Sequence, residues 1–133
     1  MAKTRPPLLG DLETAVMEHL WSRGPADVKA VHRVLGPARQ ITSNTVQSTM
    51  ERLYRKGLLS REKVSHAYVY SPRQTREEVR ARILQDVVRR VVGGGTELML
   101  STFVDLAARA GEDTLARLER LVAERRARAE RAR

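Results

Sequence analysis

The chain has 133 residues, 25 Lys+Arg against 16 Asp+Glu, a formal charge of +9 and no cysteine. One ordinary domain core, or a small domain plus an appendage completed by a partner, fits that length, and a two-domain enzyme does not. The missing cysteines exclude a disulfide framework, a thiolate metal site and a cysteine nucleophile, and the excess of positive charge calls for an anionic partner or for a bland cause such as solubility or a coding bias towards Arg.

Met1–Pro7 carries basic residues with no apolar run behind them, so it does not read as a signal peptide, and no apolar run approaches the roughly 20 residues of a membrane helix. The expectation is a cytoplasmic protein. Charge is distributed unevenly: residues 1–75 hold 12 basic and 6 acidic side chains, net +6, and residues 76–133 hold 13 and 10, net +3. The C-terminal half interleaves its signs, as a solvated helix face does.

Leu9, Leu12, Val16 and Leu20 recur at helical spacing and predict a first helix over Asp11–Arg23, with Glu13 and Glu18 on other faces and Gly24-Pro25 as its stop. A second helix starts at Asp27 as N-cap, carries Val28, Val31, Val34 and Leu35, and is expected to close at Gly36-Pro37. After a loop, a third begins near Thr42. Its apolar positions are Val46, Met50 and Leu53, and Gly57 takes the C′ position. Leu58–Val64 and Ala67–Ser71 are β-prone segments with Ser65-His66 between them, a hairpin placed where a winged helix has its wing.

Thr75-Arg-Glu-Glu78 is a capping box opening a fourth helix with an apolar stripe through Val79, Ile83, Leu84, Val87, Val88, Val91 and Val92. Gly93-Gly-Gly95 breaks it and reads as a hinge, since the GxxxxGK[ST] phosphate-loop pattern is absent. A fifth helix from Thr96 carries Leu98, Phe103 and Val104 and ends at Gly111, and a sixth, capped by Asp113, carries Leu115, Leu118 and Leu121 before dissolving into Arg, Ala and Glu. Three such helices show more apolar stripe than they can cover alone, which implies a second copy of the chain. The fold class is therefore mainly α: a winged helix-turn-helix DNA-binding domain over residues 1–74, followed by a three-helix dimerisation domain over residues 75–133 with a frayed basic tail. The dimer contacts are expected at Ile83, Val87, Val91, Leu98, Phe103, Val104, Leu115, Leu118 and Leu121.

The functional residues are expected on the polar face of the third helix and on the hairpin. Thr42, Ser43, Asn44, Thr45, Gln47 and Ser48 supply short hydrogen-bonding groups at a helix N-terminal end, suited to base edges and phosphates in a major groove. Arg52 and Arg55 on that helix, and Arg61, Lys63 and His66 on the hairpin, are expected to position the protein on the DNA backbone. The bland alternative is a solvated polar helix face, and the order helix, helix, helix, hairpin weighs against it. His19, His32 and His66 are scattered singly and read as surface or interfacial histidines, Trp21 as core, and no cofactor is implied. No catalytic arrangement stands out.

Three stretches, Leu9–Trp21, Ile41–Leu59 and Tyr68–Pro72, make the chain similar to the BlaI/MecI/CopY family of bacterial winged-helix repressors over about residues 8–122. The resemblance implies a homodimer on a palindromic double-stranded operator, repressing genes such as those for β-lactam resistance. It also implies release by a membrane sensor-transducer protease system through cleavage in the dimerisation domain, at Thr102-Phe103 here. Gly10 stands where the family often has Ser, Gln47 where resistance repressors carry a basic residue, and Thr102 where the cleaved bond has Asn. The copper-sensing branch requires cysteines that this sequence lacks. A nonspecific DNA-organising protein and a protein-docking adaptor are the alternatives from other classes.

Overall fold

The computed structural model describes residues 9–93 and 95–133, the Val92 side chain excepted. Met1–Pro7 and the central glycine of the expected hinge lie outside the described residues. The elements run α1 (Asp11–Arg23), α2 (Val28–Arg39), α3 (Ser43–Arg55), β1 (Leu59–Val64), β2 (Ala67–Pro72), α4 (Arg76–Val92), α5 (Thr96–Ala110) and α6 (Glu112–Arg131). This is a mainly helical winged-helix architecture, as the sequence implies. Two compact units are divided within α4, between Val87 and Val88.

The first unit is built on the apolar faces of α1, α2 and α3. Val16, Met17, Leu20, Val31, Val46, Met50 and Leu53 are fully or almost fully buried together with Leu58, Leu59, Tyr70 and Val79. Ile83 lies against the same cluster, so the first turns of α4 belong by packing to this unit. The Thr75 and Glu78 side chains cap α4 reciprocally: Glu78 N–H donates to Thr75 Oγ1 at 3.1 Å and Thr75 N–H to Glu78 Oε1 at 2.9 Å.

Three local expectations are corrected. α2 does not stop at Gly36-Pro37 but continues to Arg39 with Pro37 inside it, and Gln40 closes it at φ 54°. Glycine explains the tolerance: a side chain before proline clashes in the helical region, and Gly36 has none. Of the histidines read as surface or interfacial, two are drawn inward. His19 is buried, and half-buried His32 donates from Nε2 to the Ile41 carbonyl at 2.9 Å, bracing the turn into α3. Glu13 is buried rather than on an outward face.

Two features frame the hairpin. α3 ends in a Schellman motif, Leu58 N–H on Leu53 O and Gly57 N–H on Tyr54 O, both at 3.0 Å, with Gly57 at φ 83°. β1 and β2 pair antiparallel with Val64 opposite Ala67, which leaves Ser65-His66 as a two-residue turn. A short bridge then joins Ala26, in the α1–α2 connection, to Tyr70, through Tyr70 N–H on Ala26 O at 2.9 Å and the reciprocal bond at 3.1 Å.

In the second unit α5 and α6 pack on each other, with Leu115 and Leu118 half-buried and no side chain of either helix fully buried. α6 starts at Glu112, with Gly111 rather than Asp113 at its N-cap, and stays helical to Arg131. Two facts account for this. Acidic side chains in a first turn favour the helix dipole, and the Ala/Arg/Glu composition that lacks apolar positions is strongly helix-forming.

Candidate nucleic-acid interface

α3 is amphipathic, and its two faces are assigned by burial. Val46, Thr49, Met50 and Leu53 turn inward, and the Thr49 hydroxyl is satisfied by donating to Thr45 O at 2.9 Å. Thr42 caps the helix, its Oγ1 accepting from Thr45 N–H at 3.2 Å and lying 3.1 Å from Thr45 Oγ1. Two expected DNA ligands, Thr42 and Thr45, are therefore engaged with each other in the cap. Ser43, Asn44, Gln47 and Ser48 are exposed, and among the described residues none of their side chains has a hydrogen-bond partner. The first turn of α3 thus offers free amide and hydroxyl groups beside free backbone N–H groups, an arrangement suited to base edges and phosphate.

The basic residues fall into two groups. Arg52 Nε donates to Glu13 Oε2 at 3.2 Å, and Lys56 Nζ donates to the same carboxylate at 3.1 and 2.9 Å. Glu13 also accepts from Gly10 N–H at 3.0 Å. Burial pushes its carboxyl pKa upward, but the Gly10 bond, the Lys56 ammonium and the Arg52 guanidinium outweigh it and hold the carboxyl below its ordinary value. Arg55 pairs with Glu51 at 3.2 Å, and Arg61 pairs with the other oxygen of Glu51. Arg52, Arg55 and Arg61 are thus each ion-paired within the protein, but Glu13 and Glu51 each serve two cations, so the four basic groups keep a net +2.

Lys63 and His66, by contrast, are exposed, and among the described residues Lys63 makes no ion pair. Lys29 is a cation that sequence reasoning missed. It is exposed near the start of α2 and lines one open cleft with Ser43 and Gln47 of α3 and with Val64, Ser65, His66 and Tyr68 of the hairpin. Nothing in the local pattern around Lys29 marks it. Only the fold brings it beside residues 14 to 39 positions away.

Of the residues expected at a dimer contact, Ile83 is engaged in the first unit's core. Val87, Val91, Leu98, Phe103, Val104 and Leu121 are exposed, Val91 to 71% and Leu98 to 58%. Thr102 and Phe103 lie in the middle of α5 with exposed side chains. No helix among the described residues is long and apolar enough to cross a membrane.

Comparison with known proteins places this geometry in context. A family model described as penicillinase repressor matches residues 9–124. The transcriptional regulator BlaI of Mycobacterium tuberculosis is 35% identical over 117 residues, covering 87% of this chain and 83% of that protein. The penicillinase repressor of Bacillus licheniformis is 23% identical over 107 residues, covering 80% and 84%. The solution structure of the DNA-binding domain of the repressor BlaI superposes with a TM-score of 0.51 at 26% identity, over 56% of this chain and 90% of that domain.

Proposed function

The chain belongs to the penicillinase repressor family of DNA-binding transcriptional regulators, and from that premise we propose that it is a sequence-specific repressor acting as a homodimer on a palindromic operator. One observation carries the reading: Asn44, Gln47 and Ser48 stand exposed, without partners among the described residues, on a helix whose opposite face is buried. Asn and Gln pair bidentately with adenine, and Ser reaches a base or a phosphate. Lys29, Lys63 and His66 border the cleft or the hairpin beside that face and supply backbone contacts.

Dimerisation is supported by the exposed apolar side chains of the second unit, Leu98, Val104 and Leu121 among them, which are a cost in water unless a second copy covers them. Relief of repression by a membrane sensor-transducer protease system, through cleavage at Thr102-Phe103, belongs to the same proposal. That bond lies inside α5, so cleavage includes local opening of the helix.

The test uses the duplex that the full-length protein enriches from a random-sequence pool. Asn44→Ala and Gln47→Ala should each lose about 1–3 kcal/mol of discrimination at one base pair. Lys29→Ala and Lys63→Ala should instead weaken all sequences alike and flatten the salt dependence by about 0.9 per lost phosphate contact. A uniform loss on replacing Asn44 and Gln47 would remove them from base reading.

A further inference from the structure

Arg61 is placed where a phosphate contact is expected of a wing arginine, yet its surroundings give it another task. Its guanidinium lies over the Tyr54 ring, 3.9 Å from the centroid, and over the Tyr68 ring at 4.1 Å, while Nη1 donates to Glu51. Its side chain is only 19% exposed. Tyr54 and Glu51 belong to α3, and Tyr68 belongs to β2. The contacts therefore run from the reading helix through one cation to the hairpin. The register explains why this side chain does it: Arg61 faces Tyr70 and Lys63 faces Tyr68, so Arg61 and Tyr68 are diagonal neighbours on one face of the ribbon.

A two-stranded ribbon has little rigidity of its own. Its root is fixed, with Leu59 and Tyr70 in the core, but Val64 to Tyr68 at the tip are exposed. The Arg61 clasp lies between root and tip. We infer that Arg61 is a positioning residue: stacked between Tyr54 and Tyr68 and paired with Glu51, it sets the angle of the wing to α3, and so fixes Lys63 and His66 relative to Asn44 and Gln47. The requirement is for a planar guanidinium. A lysine keeps the charge but cannot fill the space between two rings and hold a carboxylate at the same time. This inference rests on the reading of α3 as the DNA-recognition helix.

The experiment measures Arg61→Lys and Arg61→Ala in the full chain, on the duplex enriched by the native protein and on a scrambled duplex of the same composition, across a salt series. The native chain is the control for the underlying reading: if it enriches no sequence, the recognition function itself fails and the inference with it. Where it does, a loosened wing still lets Lys63 meet a phosphate on either duplex but no longer in register with Asn44 and Gln47, so both variants should lose about tenfold or more on the enriched duplex, little on the scrambled one, and keep the native salt slope. Arg61→Lys, which retains charge and should fold, should resemble Arg61→Ala. Native behaviour of Arg61→Lys, or a slope reduced by about 0.9 in Arg61→Ala, would make Arg61 a phosphate ligand instead. An equal loss on both duplexes would reduce its role to fold stability and also overturn the inference.

Discussion

Glu13 ties α1 to the end of α3 by charge, so the tie depends on pH. Its carboxyl is held below the ordinary value of 4.5, and its stabilising contribution is complete above that value and lost as pH falls through the folded-state pKa. His19 behaves with the same sign at higher pH. Burial, helped by the Arg23 charge, lowers its pKa below 6.5, so the folded state is favoured above 6.5 and loses that contribution as acid charges the ring. Thermal melts should accordingly fall first below about pH 6.5 and again below about pH 4.5. Glu13→Gln should cost about 1–2 kcal/mol at neutral pH, a modest figure because Arg52 remains largely in water, and should weaken the lower step. Unchanged melting across the pH range would remove Glu13 from the account. The sequence did not disclose this role, because the spacing that puts Glu13 off the apolar stripe of α1 says nothing about Arg52 and Lys56, some forty positions away.

At the scale of elements, helices and hairpin were legible because their evidence is local. Val46, Met50 and Leu53 recur at one face's spacing, Thr75 and Glu78 cap each other three residues apart, and Gly57 occupies the left-handed position after α3. The errors arose at a local exception to a general rule and at a partner distant in sequence. Pro37 reads as a stop, yet α2 passes through it because Gly36 removes the clash, and Gly36 is itself shaped by the His32 ring. A Cβ at position 36 would lie 2.5 Å from His32 Nε2. Gly36→Ala should therefore displace the ring from the Ile41 carbonyl and loosen the entry to α3, costing about 1–3 kcal/mol by denaturant melting even though alanine is the better helix former. A variant as stable as the native chain would show that the ring moves freely. The Ala26–Tyr70 bridge was invisible too, since Ala26 is a lone residue between two helices and carries no strand pattern.

For the whole molecule, charge distribution and the order of elements indicated the architecture, and matches over residues 9–124 place it in a repressor family. The candidate site was only partly legible. Asn44, Gln47 and Ser48 were visible as a polar face on a periodic helix, but the division of the basic residues was not. Counting cations cannot tell Lys63, exposed and without an ion pair among the described residues, from Arg61, clasped between two rings. In the proposed function the +9 charge attracts DNA of any sequence, and recognition belongs to a few neutral side chains on α3. The most direct test is a competition measurement with the full-length protein at moderate salt, comparing the duplex it enriches from a random pool with unrelated DNA. Sequence reading by the α3 face predicts a preference of roughly 10³ or more. Equal affinity for the two would contradict it and leave a protein that binds DNA by charge alone.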